Sequence, residues 1–409
     1  MILSFTFANH RSFRDTTVFS MEATASQAKG QNIVTVTTPS GTKRILKETL
    51  LYGANASGKT NILRALDALC TEVRGESGTV GGGPLGFLYS PFCLDNTSSN
   101  KPASMDISFI TDGMLYEYHV KYNREEIQEE NLYYYPKGAN RAGLFSRDTY
   151  YGEGMHGPTY PTTLSQAALK PHFGVYKNKL LISKFLYDTP HVLIKPAAQY
   201  LANIGFANNY SSNMKETLWK DGQRLLYQDV YKMKLKKLIQ YADLGIKDFT
   251  LPDNHEYDKV SLVHNTGKEN LSNRISIVEE SLGTQYLFLL GPKILFSLEK
   301  GTPLFVDEIE SGLHPILTNF VLRMYQSELI NPRHAQIVIV THDVTLMQED
   351  NLRRDQIWFT EKREDGSSDL FSLSDFEGVR EDTPFAKWYL ANKFGALPDI
   401  KRVETLFDV

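Results

Sequence analysis

The residues best suited to chemistry in this chain are Gly53-Ala54-Asn55-Ala56-Ser57-Gly58-Lys59-Thr60, which fit the pattern G-x-x-x-x-G-K-[ST] at every fixed position. Glycines at those places let backbone amides turn toward an anion, and a helix starting at the loop adds its partial positive charge. Lys59 can then reach the outer phosphates of a nucleotide, and the Thr60 hydroxyl can ligate magnesium. The flanking residues supply the elements this requires. Leu50-Leu51-Tyr52 reads as the end of a buried strand, and the run from Asn61 reads as a helix with Ile62, Leu63, Leu66 and Leu69 on one face.

A second constellation lies far along the chain. Leu304-Phe305-Val306 is an apolar run that delivers Asp307 and Glu308. Asp307 is suited to a magnesium shell, and Glu308 to polarising a water for attack on a γ-phosphate. About one helix length earlier, Ser281-Leu282-Gly283-Thr284 precedes the apolar stretch from Tyr286 to Leu295. Such a turn can offer a hydroxyl and amides to an anion, or Ser281 can simply cap the helix. His342 follows the buried run Gln336–Val340, where an imidazole can contact a γ-phosphate or serve the structure. His314 is open between an interface role and a helix cap. Lys232, Lys234, Lys236 and Lys237 form the densest basic group, read as a solvated helix face or a phosphate-contacting patch. No His/Cys cluster has zinc spacing, and no G-x-S-x-G elbow occurs.

Around these motifs the pattern is that of an α/β protein. The chain has 409 residues, 41% hydrophobic and 22% charged, which is ordinary for a water-soluble globular protein. A net charge of −4 gives no global basic field for nucleic acid. Two cysteines, Cys70 and Cys93, exclude a disulfide framework and suit a reducing cytosol. The N-terminus lacks a signal-peptide core, and the apolar stretch Tyr286–Leu298 is interrupted by Gly291-Pro292 and too short to span a bilayer, so a cytoplasmic location away from membranes is expected. The first twenty residues read as an edge strand and a turn. Met105–Ile110 and Met114–Tyr122 flank Thr111-Asp112-Gly113, a hairpin signal, and Asn131–Tyr135 pairs with Gly143–Arg147. Leu218–Tyr241 reads as one helix, with Leu218, Leu225, Leu226, Val230, Met233 and Leu238 as core contacts. Three segments are expected: residues 1–149, a first lobe with the loop and a small antiparallel β subdomain; 150–250, a mostly helical insertion; and 251–409, a second lobe carrying Ser281, Asp307 and His342.

In order and wording these motifs resemble the ABC-type ATPase heads of SMC and RecF proteins. Asn55 within the loop and Asn61 after it match that group, as does Phe7-x-Asn9-His10-Arg11-Ser12-Phe13 near the N-terminus. Asp307-Glu308-Ile309-Glu310-Ser311-Gly312-Leu313-His314-Pro315 and Glu280-Ser281-Leu282-Gly283-Thr284 resemble the corresponding blocks of OLD/RloA-type prokaryotic ATPases, which include ATPase subunits of anti-phage systems. Tyr389-Leu390 with Phe394-Gly395-Ala396 resembles their C-terminal ending. The resemblance covers residues 1–140 and 258–400. It implies an ABC-type head with a mixed sheet and flanking helices, and ATP with Mg2+ as cofactors. Gly53 through Asn61 would bind nucleotide, Thr60 and Asp307 would hold the metal, and Lys59, Glu308 and His342 would act in hydrolysis. It further implies a homo-oligomer formed through the heads, with Ser281 and Gly283 facing the phosphates on another copy. A sensor or regulatory subunit controlling a separate nuclease or toxin is the expected role. A DNA-repair ATPase and an ATP-dependent scaffold are the alternatives. OLD nucleases carry a C-terminal Toprim domain, for which the short tail after Pro398 has no room, so no nuclease activity is expected of this chain alone. No Q-loop glutamine is assigned.

Overall fold

The computed structural model describes residues 1–76, 85–148, 177–187, 191–207, 214–242, 245–265, 273–348 and 352–399. The chain is a mixed α/β protein that divides into two compact units, one of residues 2–202 with 347–409 and one of residues 203–346 with Met1.

The first unit holds a six-stranded antiparallel sheet in the order Thr17–Ser20, Ile2–Ala8, Ala103–Thr111, Met114–Tyr122, Ile127–Lys137 and Asn140–Asp148. Alternation of apolar and polar residues sets its face. Phe5 and Phe7 are buried while Ser4 and Thr6 are half-buried, as a period of two requires. The expected edge strand at the N-terminus is corrected here. Ile2–Ala8 is paired on both sides, and Thr17–Ser20 forms the edge. The expected hairpin forms, with Thr111 opposite Met114. Asp112 and Gly113 both take positive φ, 49° and 72°, the geometry of the two-residue turn that matches strand twist. The second expected pair also forms, between Ile127–Lys137 and Asn140–Asp148.

The same unit contains the strand that ends in the glycine-rich loop. Glu48–Gly53 is buried at all six positions and pairs in parallel with Ile357–Lys362, whose other edge pairs antiparallel with Ser368–Ser372 across the turn at Asp365-Gly366. The helix Lys59–Arg74 follows the loop and buries Ile62, Leu63, Leu66 and Leu69, the face expected from their spacing. The C-terminal residues noted in the sequence have a packing role. Tyr389 stacks on Phe359 at 5.2 Å between ring centroids, Phe394 lies 5.8 Å from the same ring, and the Ala396 amide donates to Glu361 Oε1 at 3.1 Å. They hold the strand that lies beside the loop strand.

The second unit has a parallel set, Gly205–Ala207 beside Leu304–Asp307 beside Ile337–Val340. Leu304–Asp307 and Ile337–Val340 are buried throughout, as their continuous apolar runs demand of strands covered on both faces. A small antiparallel sheet, Ile246–Thr250, Ser261–His264 and Arg274–Ser276, completes its β structure. The single helix expected over Leu218–Tyr241 is two, Met214–Leu226 and Asp229–Tyr241. Gln228 is extended between them, and Asp229 places a carboxylate in the first turn of the second helix. That break rotates the faces, so Val230 and Met233, expected in the core, are exposed, while Tyr231, Leu235 and Ile239 are buried. Both helices pack on the long helix Leu282–Lys300. Small residues set the approach: a Cβ on Gly222 would meet Pro292 at 3.1 Å, and one on Gly291 would meet Leu235 at 2.4 Å.

The described part of the 150–250 segment is rich in helix, with Ile182–Tyr187, Lys195–Ala202, Met214–Leu226 and Asp229–Tyr241. Its residues are shared between the compact units, the division falling between Ala202 and Asn203. Contacts, rather than the change in sequence style, decide that boundary. Of its aromatics, Phe185 and Trp219 are buried and Tyr187 is exposed; Phe173 and Tyr176 lie outside the described residues.

Candidate functional site

The glycine-rich loop turns sharply between the end of its strand and the helix at Lys59. Gly53, Ala56 and Gly58 take positive φ of 150°, 62° and 117°. Two of these positions also lack room for a side chain. A Cβ on Gly53 would lie 2.4 Å from the Thr360 carbonyl oxygen, and one on Gly58 would lie 2.6 Å from Ser368 Oγ and 2.9 Å from Ser12 Oγ. Glycine is therefore required for backbone conformation and for close approach together. Ala54 is half-buried, Asn55 and Ala56 are exposed, and Ser57 is buried with its hydroxyl 2.5 Å from Thr360 Oγ1. The loop thus presents its Asn55–Ala56 tip to solvent while its base is tied to the neighbouring strand.

Lys59 is buried, and its ammonium donates to the carbonyl oxygens of Gly53 at 2.8 Å and Ala54 at 2.9 Å. The charge is folded over the loop's own backbone, which it holds in the turned shape. Thr60 and Asn61 open the helix in half-buried positions, and Asn61 Nδ2 donates to Ser12 Oγ at 2.8 Å. The N-cap position is Gly58, which has no side chain to cap the helix. A buried cation, a helix N-terminus opened by glycine and a cradle too tight for a Cβ are the features a polyphosphate needs. The loop residues therefore fit a nucleotide's phosphates.

Three partners of the loop escape a local reading. Ser12 belongs to the Asn9–Phe13 segment, which Asn9 anchors through its side chain to the carbonyls of Ser98 and Lys101 and to the Phe92 amide. Thr360 stands opposite Gly53 in the parallel pair, and Ser368 donates its amide to the Ser12 carbonyl at 2.7 Å. The Phe-x-Asn-His-Arg-Ser-Phe pattern points to Ser12 as part of a motif; nothing near Thr360 or Ser368 in the sequence signals their place. On this geometry, Gly58→Ala should combine a strained backbone, about 1–3 kcal/mol, with a steric clash against two hydroxyls. Loss of nucleotide binding at a lowered melting temperature is the expected result, measured by calorimetry and thermal unfolding. Wild-type affinity in that variant would contradict the tight cradle.

The other motif residues lie in the second unit. Asp307 ends its strand and is buried; Glu308 follows in the left-handed region, at φ 48°, half-buried. That turn ends the strand abruptly and leads into the short 3-10 turn Ile309–Ser311. Glu310 accepts a hydrogen bond from the backbone amide of His342, so the loop after one strand is tied to the loop after the next. His342 is exposed. Burial, with the nearby carboxylates of Asp307, Glu310 and Glu308, pushes the Tyr286 phenol well above its usual range, which keeps this hydroxyl neutral.

Ser281 is the N-cap of Leu282–Lys300, its Oγ accepting from the Thr284 amide at 3.2 Å. The cap reading is thus realised in the structure. A cap and an anion turn use the same helix end, and Gly283, two residues on from Ser281, is packed so that a Cβ would sit 3.1 Å from the Gly312 carbonyl oxygen. Gly312 in turn faces the Tyr286 ring, where a Cβ would come within 2.3 Å. The Ser281 turn and the Asp307–Pro315 block are therefore built against each other through glycines. His314 is also resolved as a cap, its Nδ1 accepting from the Ile316 amide at 3.3 Å. Lys234 and Lys236 pair with Glu299 and Asp248, each at 2.7 Å, which favours the solvated-face reading of the basic group. Among the described residues no cluster of His, Cys, Asp and Glu is arranged to hold a metal by itself, and no helix is long and apolar enough to cross a membrane.

Comparison with known proteins follows the same lines. No curated protein matches the chain. Among solved structures it is similar to the SMC head domain from Thermotoga maritima, at 13% identity over 91% of this chain and 98% of that one, with a TM-score of 0.41. It is also similar to the Smc head domain with a coiled coil and joint derived from Pyrococcus yayanosii, at 12% identity over 96% and 99%, with a TM-score of 0.42. A family model described as "AAA domain, putative AbiEii toxin, Type IV TA system" matches residues 49–153 and 208–348. The first stretch contains Gly53 through Asn61, and the second contains Ser281, Gly283, Asp307, Glu308 and His342. With more than half of its length matched, the chain belongs to this AAA-domain family.

Proposed function

We propose that the protein binds MgATP through the loop Gly53–Asn61, hydrolyses it slowly, and does so as an assembly in which the Ser281 turn of one copy meets the nucleotide held by another. The observation that carries the nucleotide reading is the cradle itself, where Lys59 is buried over the carbonyls of Gly53 and Ala54 and neither Gly53 nor Gly58 can accept a side chain. In this reading Lys59 and the loop amides bind the phosphates, Thr60 and Asp307 hold the magnesium, and Glu308 orients the attacking water. The exposed His342, tied through its amide to Glu310, is suited to following the γ-phosphate. ATP supplies the scissile phosphoanhydride and magnesium the charge neutralisation; the chain's residues orient and desolvate.

The motif order of the OLD/RloA type supports a regulatory role in anti-phage defence, with a separate nuclease or toxin as effector. The family description, which names a type IV toxin–antitoxin system, is consistent with a partner protein. The arrangement across copies is tested by mixing two inactive variants. Ser281→Arg should block hydrolysis with single-copy ATP binding near wild type, and Lys59→Ala should fail at binding. A mixed pair carries one composite site with both parts intact, so phosphate release should partly return on mixing. A wild-type rate per molecule that does not change with protein concentration down to the monomer would overturn the shared site.

A further inference from the structure

The backbone that enters the Ser281 turn is clamped from several sides, and one clamp reaches it from a helix of the 150–250 segment. Gln285 is buried one turn into the helix Leu282–Lys300. Its Nε2 reaches back to the Glu280 carbonyl at 2.7 Å, with a longer contact to the Val278 carbonyl at 3.4 Å. Its Oε1 accepts from Lys215 Nζ at 2.7 Å and from the Tyr257 hydroxyl at 3.4 Å. The amide is thus used at both ends, and its orientation is fixed by that pattern: only the NH2 side can serve the two carbonyls, and only the oxygen can serve the lysine. The Glu280 side chain is held separately by His264 Nε2. Together these bonds fix residues 278–280, leaving Ser281 and its amides at the end of a rigid lead-in.

Lys215 stands at the start of Met214–Leu226, half-buried. Its contact with Gln285 is charge-assisted, the stronger kind of hydrogen bond. A cavity of about 550 Å³ opens beside it, lined by Trp219, Tyr257, Val278 and Gln285 among others.

We propose that Gln285 and Lys215 are positioning residues for the Ser281 turn, through which the helix Met214–Leu226 sets the turn's readiness to take part in hydrolysis. This rests on the reading of Ser281 as part of the ATP site. Neither residue touches nucleotide; both act on the backbone that carries the hydroxyl. Displacement of an oriented group by about 1 Å is enough to cost roughly 100-fold in rate.

The test compares phosphate release and single-copy ATP affinity in full-length variants. Gln285→Leu removes the bonds to both carbonyls and should lower kcat at least about tenfold, with ATP affinity unchanged. Gln285→Glu keeps an acceptor for Lys215 but cannot donate to the Glu280 carbonyl, and should be equally slow. Lys215→Met, at a half-buried position that leaves the core intact, should lower kcat about threefold, and Lys215→Arg should restore it. A merely structural loss would lower the melting temperature and ATP affinity with kcat and would not be rescued by arginine. If Ser281→Arg is inactive while Gln285→Leu and Lys215→Met turn over at the wild-type rate, the positioning role is overturned and the ATP reading stands. If Ser281→Arg itself hydrolyses ATP normally, the reading of the turn fails first.

Discussion

Lys59→Ala is expected to weaken ATP binding by at least about 100-fold, the largest single-residue loss in the protein. A hydrogen bond from a charged donor contributes about 1.5–3 kcal/mol, and Lys59 would make more than one to the outer phosphates. The structure adds a second cost. The Lys59 ammonium closes the loop over the carbonyls of Gly53 and Ala54, so alanine leaves those two acceptors without their cation and loosens the cradle before any ligand arrives. Calorimetry with ATP and magnesium measures the first effect, and thermal unfolding without nucleotide measures the second. Retention of wild-type affinity would remove the loop from the nucleotide site.

Glu308→Gln should behave in the opposite way. Glutamine matches glutamate in shape and suits the same left-handed turn at φ 48°, so binding and folding are expected to persist. What it lacks is a carboxylate able to polarise water, a role worth about 10²–10⁴-fold in rate. Phosphate release should fall by that order while ATP stays bound, trapping the nucleotide-loaded assembly. On the proposed regulatory role, the same variant, expressed with its neighbouring genes, should alter how much of any partner protein co-purifies, because a regulator that acts through its nucleotide state would be frozen in one of them. Rapid turnover by Glu308→Gln would take Glu308 out of the role of base.

Much of the local structure was legible from residues close together in sequence. The eight-residue loop between an apolar strand and an amphipathic helix specifies its own turn, because glycine tolerance, helix start and lysine reach are all local properties. Apolar runs such as Leu304–Val306 and Gln336–Val340 announced buried strands for the same reason, and Thr111-Asp112-Gly113 carried its hairpin in its own backbone preferences. Boundaries were less legible. One helical pattern over Leu218–Tyr241 resolved into two helices, since the break at Gln228 carries no glycine or proline to mark it.

Only the tertiary structure decided what surrounds the motif residues. Thr360 reaches Gly53 because a parallel strand from the far end of the chain lies beside the loop strand; Ser368, on the antiparallel strand after it, and Ser12, near the N-terminus, reach Gly58. Gly283, Gly312 and Tyr286 constrain one another across the second unit. Gln285 reads in sequence as one more polar residue on an apolar helix, yet its burial and its four hydrogen-bond partners tie Lys215 to the Ser281 turn. Sequence spacing reports which side chains share a strand or a helix face. Which of them meet across hundreds of residues depends on strand order and on the close approach of backbones, and those are set when the whole core packs.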